Sequence, residues 1–173
     1  VVLTPDQARY AGLITAIAVE RGMPARAASI ALAAAYQESD LANLRGGDRD
    51  SAGLFQQRPS QGWGTLAEVR DPVHATNAFY DALERVPGYA SLPVTVAAQR
   101  VQRSGFPSAY AVYENDARAL ASALTGFSPG AFSCHLGASS GTPPPAARRA
   151  VALRRALAPA FGAVRVSVVE GSR

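Results

Sequence analysis

The stretch from Pro24 to Ser39 constrains the fold more than any other part of the chain. It reads Pro-Ala-Arg-Ala-Ala-Ser-Ile-Ala-Leu-Ala-Ala-Ala-Tyr-Gln-Glu-Ser, and Ala27, Ala28, Ala31, Leu32 and Ala35 recur at helical spacing. Alanine is the strongest helix former, and its small side chain lets another helix or a ligand come close. The helix predicted here starts near Pro24 and carries Tyr36, Gln37, Glu38 and Ser39 at its C-terminal end. A carboxylate therefore stands at the end of an apolar helix. The chain has 173 residues, 48% of them hydrophobic, which suffices for one domain with a real core and is too short for two.

Other helices announce themselves by their caps. Thr4, Pro5 and Gln7 form a capping-box start ahead of Tyr10, Leu13, Ile14, Ile17 and Ala18, and Gly22 with Pro24 closes that run. Thr65 and Glu68 repeat the box over a short helix, and Asp71-Pro72 opens a third that carries Val73, Ala75, Phe79, Ala82, Leu83 and Val86. Residues 94–104 read as a short helix with Val94, Ala97, Ala98 and Val101 inward. Ser108 is expected to cap a last helix through Ala109, Val112, Tyr113, Ala117, Leu120, Ala121 and Leu124, ended by Gly126. Between these, residues 40–64 are rich in Gly, Asp, Asn and Pro and read as loops with a small hairpin around Ser51 to Gln57. The fold class expected is mainly α.

Residues 1–127 form the expected domain. Residues 128–145, with Pro143-Pro144-Pro145, have linker composition. Residues 146–161 read as a basic helix and 163–169 as a strand, together the opening of a second, incomplete module. The chain begins at Val1 rather than Met, so it reads as a processed or trimmed piece, and no signal peptide decides the compartment. The net charge of +4 belongs to this trailing part: residues 1–144 sum to −1 and residues 145–173 to +5.

Composition excludes several functions. The single Cys134 rules out an internal disulfide framework and a Cys-cluster zinc site, and only two histidines, His74 and His135, argue against a His-based metal site. Cys134 is expected to find a partner outside this chain, and His74 reads as structural or exposed. No apolar run approaches the ~18 residues of a membrane span. All 17 basic residues are Arg and Ala supplies 36 residues, a high-GC coding bias rather than a function. Nucleic-acid binding is not expected, because no recognition motif or aromatic–basic interleaving accompanies the charge.

Glu38 is the residue on which chemistry can rest. Cleaving a glycosidic bond needs a carboxylic acid that stays protonated near neutral pH and gives its proton to the leaving oxygen. An apolar helix end raises a Glu pKa by desolvation. Asp40, Asp48 and Asp50 follow in the polar segment. Gln56, Gln57, Trp63, Tyr110 and Tyr113 are of the types that bind sugar hydroxyls, N-acetyl groups and ring faces. Trp63, between Gly62 and Gly64, reads either as a sugar-stacking ring or as a core plug.

The blocks Gln37-Glu38-Ser39-Asp40 and Gly47-Asp48-Arg49-Asp50-Ser51-Ala52-Gly53-Leu54-Phe55-Gln56 resemble the central motif of the lysozyme-like superfamily. Glu38-Ser39 is similar to the Glu-Ser pair that ends a core helix in goose-type lysozymes and soluble lytic transglycosylases. Gly53-Leu54-Phe55-Gln56 is similar to the run that follows it. Tyr113-Glu114-Asn115-Asp116 resembles a Tyr-containing segment of a late helix. The resemblance spans roughly residues 5–126 and implies a lysozyme-like helical domain with a small β-like segment at an active-site cleft. It implies a cell-envelope or extracellular muramidase that cleaves the β-1,4 bond between N-acetylmuramic acid and N-acetylglucosamine in peptidoglycan glycan strands. Glu38 would be the catalytic acid, Asp48 the candidate second carboxylate with Asp50 behind it, and Ser51, Gly53, Phe55, Gln56 and Gln57 substrate contacts. No metal or organic cofactor is implied, and a monomer is expected.

Two departures stand in the sequence. Arg58 occupies the place where goose-type enzymes tend to carry another acid, which leaves Asp48 without its usual companion. The Ala-Tyr-Asn-x-Gly motif typical of lytic transglycosylases is replaced by Ala97-Ala98-Gln99-Arg100-Val101-Gln102-Arg103-Ser104, where Gln99 and Gln102 are the candidate substitute amides. Hydrolysis by two carboxylates and transglycosylation by one Glu both stay open, as does a cell-wall module that retains the fold without activity.

Overall fold

In the computed structural model the described residues are 1–106 and 108–131, with Ser133, Pro145, Arg148, Val151, Ala152 and Arg155 beyond them. Cys134 and nearly all of the expected linker and helix–strand unit lie outside the described residues. The described part is mainly helical: α1 (Pro5–Glu20), α2 (Ala25–Ser39), α3 (Leu66–Arg70), α4 (Pro72–Glu84), α5 (Val94–Gln102) and α6 (Glu114–Leu124). None of its helices is long and apolar enough to cross a membrane.

α2 is the axis of the fold. Every residue from Ala27 to Tyr36 is buried, and the helix packs against α1, α4, α5 and α6. A helix that is apolar all round is stable only when neighbours cover all its faces, and its alanines let them approach. Ile30 and Leu32 are fully buried in the same helix, each contributing about 1.5–3 kcal/mol by leaving water. Phe55 stacks on Phe79 at 4.7 Å between ring centroids, and the buried Tyr80 hydroxyl donates to the Ile14 carbonyl at 2.9 Å, tying α4 to α1.

The capping boxes form as the sequence implies. Thr4 and Gln7 satisfy each other's backbone donors at the start of α1, as Thr65 and Glu68 do at α3. The Asp71 side chain accepts from the Val73 and His74 amides at the start of α4. Three expectations are corrected. α5 ends at Gln102, because Arg103 turns into the left-handed region at φ 51°. Ser108 makes no side-chain cap; a 3₁₀ turn over Ala109–Tyr113 precedes α6, and this tighter turn is where Tyr110 is buried. The hairpin around Ser51–Gln57 is reduced to isolated antiparallel bridges, Ala52 with Gln57 and Leu44 with Gly53.

Candidate active site

α2 ends without glycine. Asp40 and Leu41 both take positive φ, 54° and 55°, directly after Glu38 and Ser39. The turn is held from two sides. Gln7 donates through Nε2 to the Asp40 carbonyl and carboxylate, each at 3.0 Å. The buried Ser39 hydroxyl lies 2.7 Å from the Leu54 carbonyl and 3.0 Å from that of Ala35, and so ties the helix end to the following loop. Ser39 thus fixes where Glu38 emerges.

Glu38 is half-buried and opens into a cleft of about 480 Å³ shared with Asp48, Ser51, Gln56, Gln57, Trp63 and Gln102. Burial raises its pKa above the ordinary 4.5 by penalising the charged form. Two groups pull the other way. The Tyr110 hydroxyl donates to Glu38 Oε1 at 2.7 Å. The Gln102 amide, which also donates to the Phe55 carbonyl at 2.8 Å, favours the carboxylate too. Desolvation is the largest of these effects, so the group is a protonated acid over a wider pH range than a surface Glu. Tyr110 itself is fully buried, and burial with the adjacent carboxylate pushes its phenol well above the usual tyrosine range.

The other carboxylates differ in kind. Asp50 accepts from Arg58 Nε at 2.7 Å and from the Ser60 amide at 2.8 Å, which hold its pKa well below the ordinary 3.8. Arg58 therefore engages Asp50 within the loop. Asp48 is the reverse: its side chain is 92% exposed, and its nearest opposite charge is Arg49 at 3.8 Å. No hydrogen bond orients it among the described residues.

Several residues grouped with the substrate on sequence grounds have other positions. Phe55 is a core ring against Phe79 rather than a cleft residue, because its apolar face is covered by α4. Gly53 is buried in the turn, where its amide donates to the Leu44 carbonyl at 2.8 Å. Tyr110 lies beneath Glu38 and not on the cleft surface. Tyr113 stacks nearly parallel on Tyr36, with centroids 5.4 Å apart. Gln99 donates to the Ser104 carbonyl at 2.7 Å and closes the α5 turn. Ser51 and Gln56 line the cleft and hold one another, Ser51 Oγ donating to Gln56 Oε1 at 3.0 Å. Gln57 borders it but is a buried residue rather than a substrate contact, with Nε2 bound to the Ala75 carbonyl at 3.0 Å and Oε1 shut off from the cleft.

Sequence reasoning missed Arg49, Gln61, Arg103, Ser104 and Gly105, which also border the cleft. One signal appears only in the backbone. Among the described residues five non-glycine positions have positive φ; Arg49, Gln56 and Arg103 line this cleft, and Asp40 and Leu41 end the helix that presents Glu38. Such conformations cost about 1–2 kcal/mol each and gather at functional sites. No cluster of three His, Cys, Asp or Glu among the described residues is arranged to hold a metal ion.

No protein-family model matches the chain, and no curated protein matches it either.

The Tyr110–Glu38 bond makes a specific prediction for any chemistry in which Glu38 gives a proton. Tyr110→Phe removes a donor that favours the carboxylate, so the Glu38 pKa rises further and the alkaline limb of the pH–rate profile moves to higher pH. The rate at the optimum falls roughly tenfold, the worth of one hydrogen bond to a charged group. A mere packing defect would lower the rate without moving the limb.

Proposed function

We propose that this protein cleaves the N-acetylmuramyl-β-1,4-N-acetylglucosamine bond of peptidoglycan, with Glu38 as its only proton-transferring carboxylate. The observation that carries the reading is the half-buried Glu38, its pKa raised by burial, held by Tyr110 at 2.7 Å on the wall of a polar cleft. The lysozyme-like architecture belongs to the same proposal. A core helix ends on Glu38-Ser39, and Ser39 bonds the Gly53–Gln56 run that the resemblance pairs with it.

The carboxylate inventory favours transglycosylation over two-carboxylate hydrolysis. An inverting hydrolase needs a second carboxylate held to position water. Asp50 is engaged by Arg58, and Asp48 is solvated and unoriented. With one acid, Glu38 protonates the glycosidic oxygen as the C1–O bond breaks, and the N-acetylglucosamine end leaves as an alcohol. The Glu38 carboxylate then takes the proton of the muramyl 6-hydroxyl as O6 bonds to C1. The proton returns to Glu38, no water is consumed, and the product is a 1,6-anhydromuramyl end. Gln56 and Gln102 supply amide contacts, and Trp63 a ring face, along the cleft.

Mass spectrometry of the products from purified peptidoglycan tests the reading. Anhydro-muropeptides are expected; reducing muramic ends would replace the mechanism with hydrolysis. Strand binding without turnover would make the protein a wall-binding module. Asp48→Asn provides a second check. It is expected to lower turnover by less than about tenfold, whereas loss of a true general base costs about a hundredfold or more.

A further inference from the structure

The Glu38 cleft is continuous with a larger one. A second cleft of about 1010 Å³ shares Gln61, Trp63, Gln102 and Arg103 with it and runs on between α4 and α5. Its charged lining is Glu68, Asp81, Arg85, Arg100 and Arg103, with His74 among them. Both acids are already committed to the fold. Glu68 accepts from the Thr65 amide and hydroxyl in the α3 capping box, at 2.7 and 2.9 Å. Asp81 is paired with Arg21 at 2.7 Å. The arginines are in the opposite condition. Arg85, Arg100 and Arg103 are exposed, and none of their side chains has a hydrogen-bond or ion-pair partner among the described residues. Arg103 is presented by a backbone at φ 51°, a strained conformation at the junction of the two clefts.

Three unpartnered guanidiniums lining a polar cleft suit carboxylates, which they bind through paired N–H donors. Continuity with the Glu38 cleft means that such carboxylates would belong to the molecule whose glycan lies at Glu38. We propose that the larger cleft holds the peptide substituents of the strand being cleaved, their free carboxylates bound by Arg85, Arg100 and Arg103. This rests on the glycan reading of the Glu38 cleft and adds to it a preference for peptide-bearing strands.

Trp63, the only tryptophan of the chain, lines both clefts and reports occupancy by its fluorescence. The experiment titrates the Glu38→Gln protein, which binds without cleaving, with glycan strands that carry their peptides and with strands stripped of them by an amidase. Peptide-bearing strands are expected to bind roughly tenfold more tightly, the gap narrowing as salt is added. In the background of Glu38→Gln, the double change Arg85→Gln and Arg100→Gln, which leaves Arg103 in place, narrows that gap. Both side chains are exposed, and an unaltered melting curve establishes that the variant folds. Equal affinity for the two strand types, or a gap undiminished by the arginine changes, overturns the proposal while leaving the glycan reading intact. Failure of both strand types to bind overturns the two together.

Discussion

Glu38→Gln is expected to cut peptidoglycan turnover by at least about a hundredfold and to make the folded protein more stable at neutral pH. Both effects come from one cause. Burial that raises the pKa of the acid also penalises the folded state whenever the group ionises. The sign follows from linkage. With its folded pKa above the ordinary 4.5, Glu38 binds more protons folded than unfolded between the two values. Stability is therefore full below pH 4.5 and is lost as pH rises through the folded pKa. Glutamine keeps the oxygen that accepts from Tyr110 and never ionises, so the variant escapes that loss. Its melting temperature should exceed wild type at pH 7 and converge on it below pH 4.5. Turnover should fall between about a hundredfold and ten-thousandfold, the span of a positioned general acid. Turbidity loss equal to wild type would end the catalytic reading. A melting temperature unchanged across the whole pH range would mean that Glu38 is not desolvated in solution.

Half of that pairing of effects is legible in the sequence. The apolar helix ending on Glu38, the capping boxes at Thr4 and Thr65, and the Asp71-Pro72 start are local features. Each depends on residues within about a turn of one another, where spacing translates directly into geometry. Tyr110 has the right chemistry for a sugar contact, but its task is different. It is 72 residues from Glu38, and only the packing of the 3₁₀ turn against α2 decides that its hydroxyl reaches the carboxylate from below. The same holds for Phe55, whose ring suits a sugar face as well as a core and is claimed by the core because α4 covers it. Arg58 reads in the sequence as a missing acid. Its positive meaning, a partner for Asp50, depends on the loop folding back across eight residues. Arg103 gives no sequence signal, since a left-handed arginine arises from how α5 must end and from no propensity of its own.

Gly53→Ala is expected to be the most destabilising small substitution in the loop, at about 3–5 kcal/mol. Two separate costs meet there. The backbone sits at φ 80°, which side chains reach only with strain, and a Cβ would lie 2.0 Å from the Val69 carbonyl oxygen. The obstacle is main chain in α3 and cannot swing aside, so α3 or the turn must move. Gly62 provides the control. Its φ of 83° is nearly the same, and nothing lies within 4 Å of its added Cβ. Gly62→Ala should therefore cost only the backbone strain, about 1–2 kcal/mol. The difference between the two variants in urea denaturation isolates the contact with Val69. The Gly53 carbonyl also accepts from Gln56 Nε2 at 3.0 Å, and Leu54 accepts from Ser39. Displacing this turn thus releases Gln56 and loosens the end of α2 at once. Whatever Gly53→Ala protein remains folded should turn over more slowly than the loss of folded material explains, while folded Gly62→Ala protein keeps a greater share of its activity. Equal stability losses in the two variants would mean that α3 does not lie against this turn, and the glycine of the Gly-Leu-Phe-Gln run would then need a different explanation.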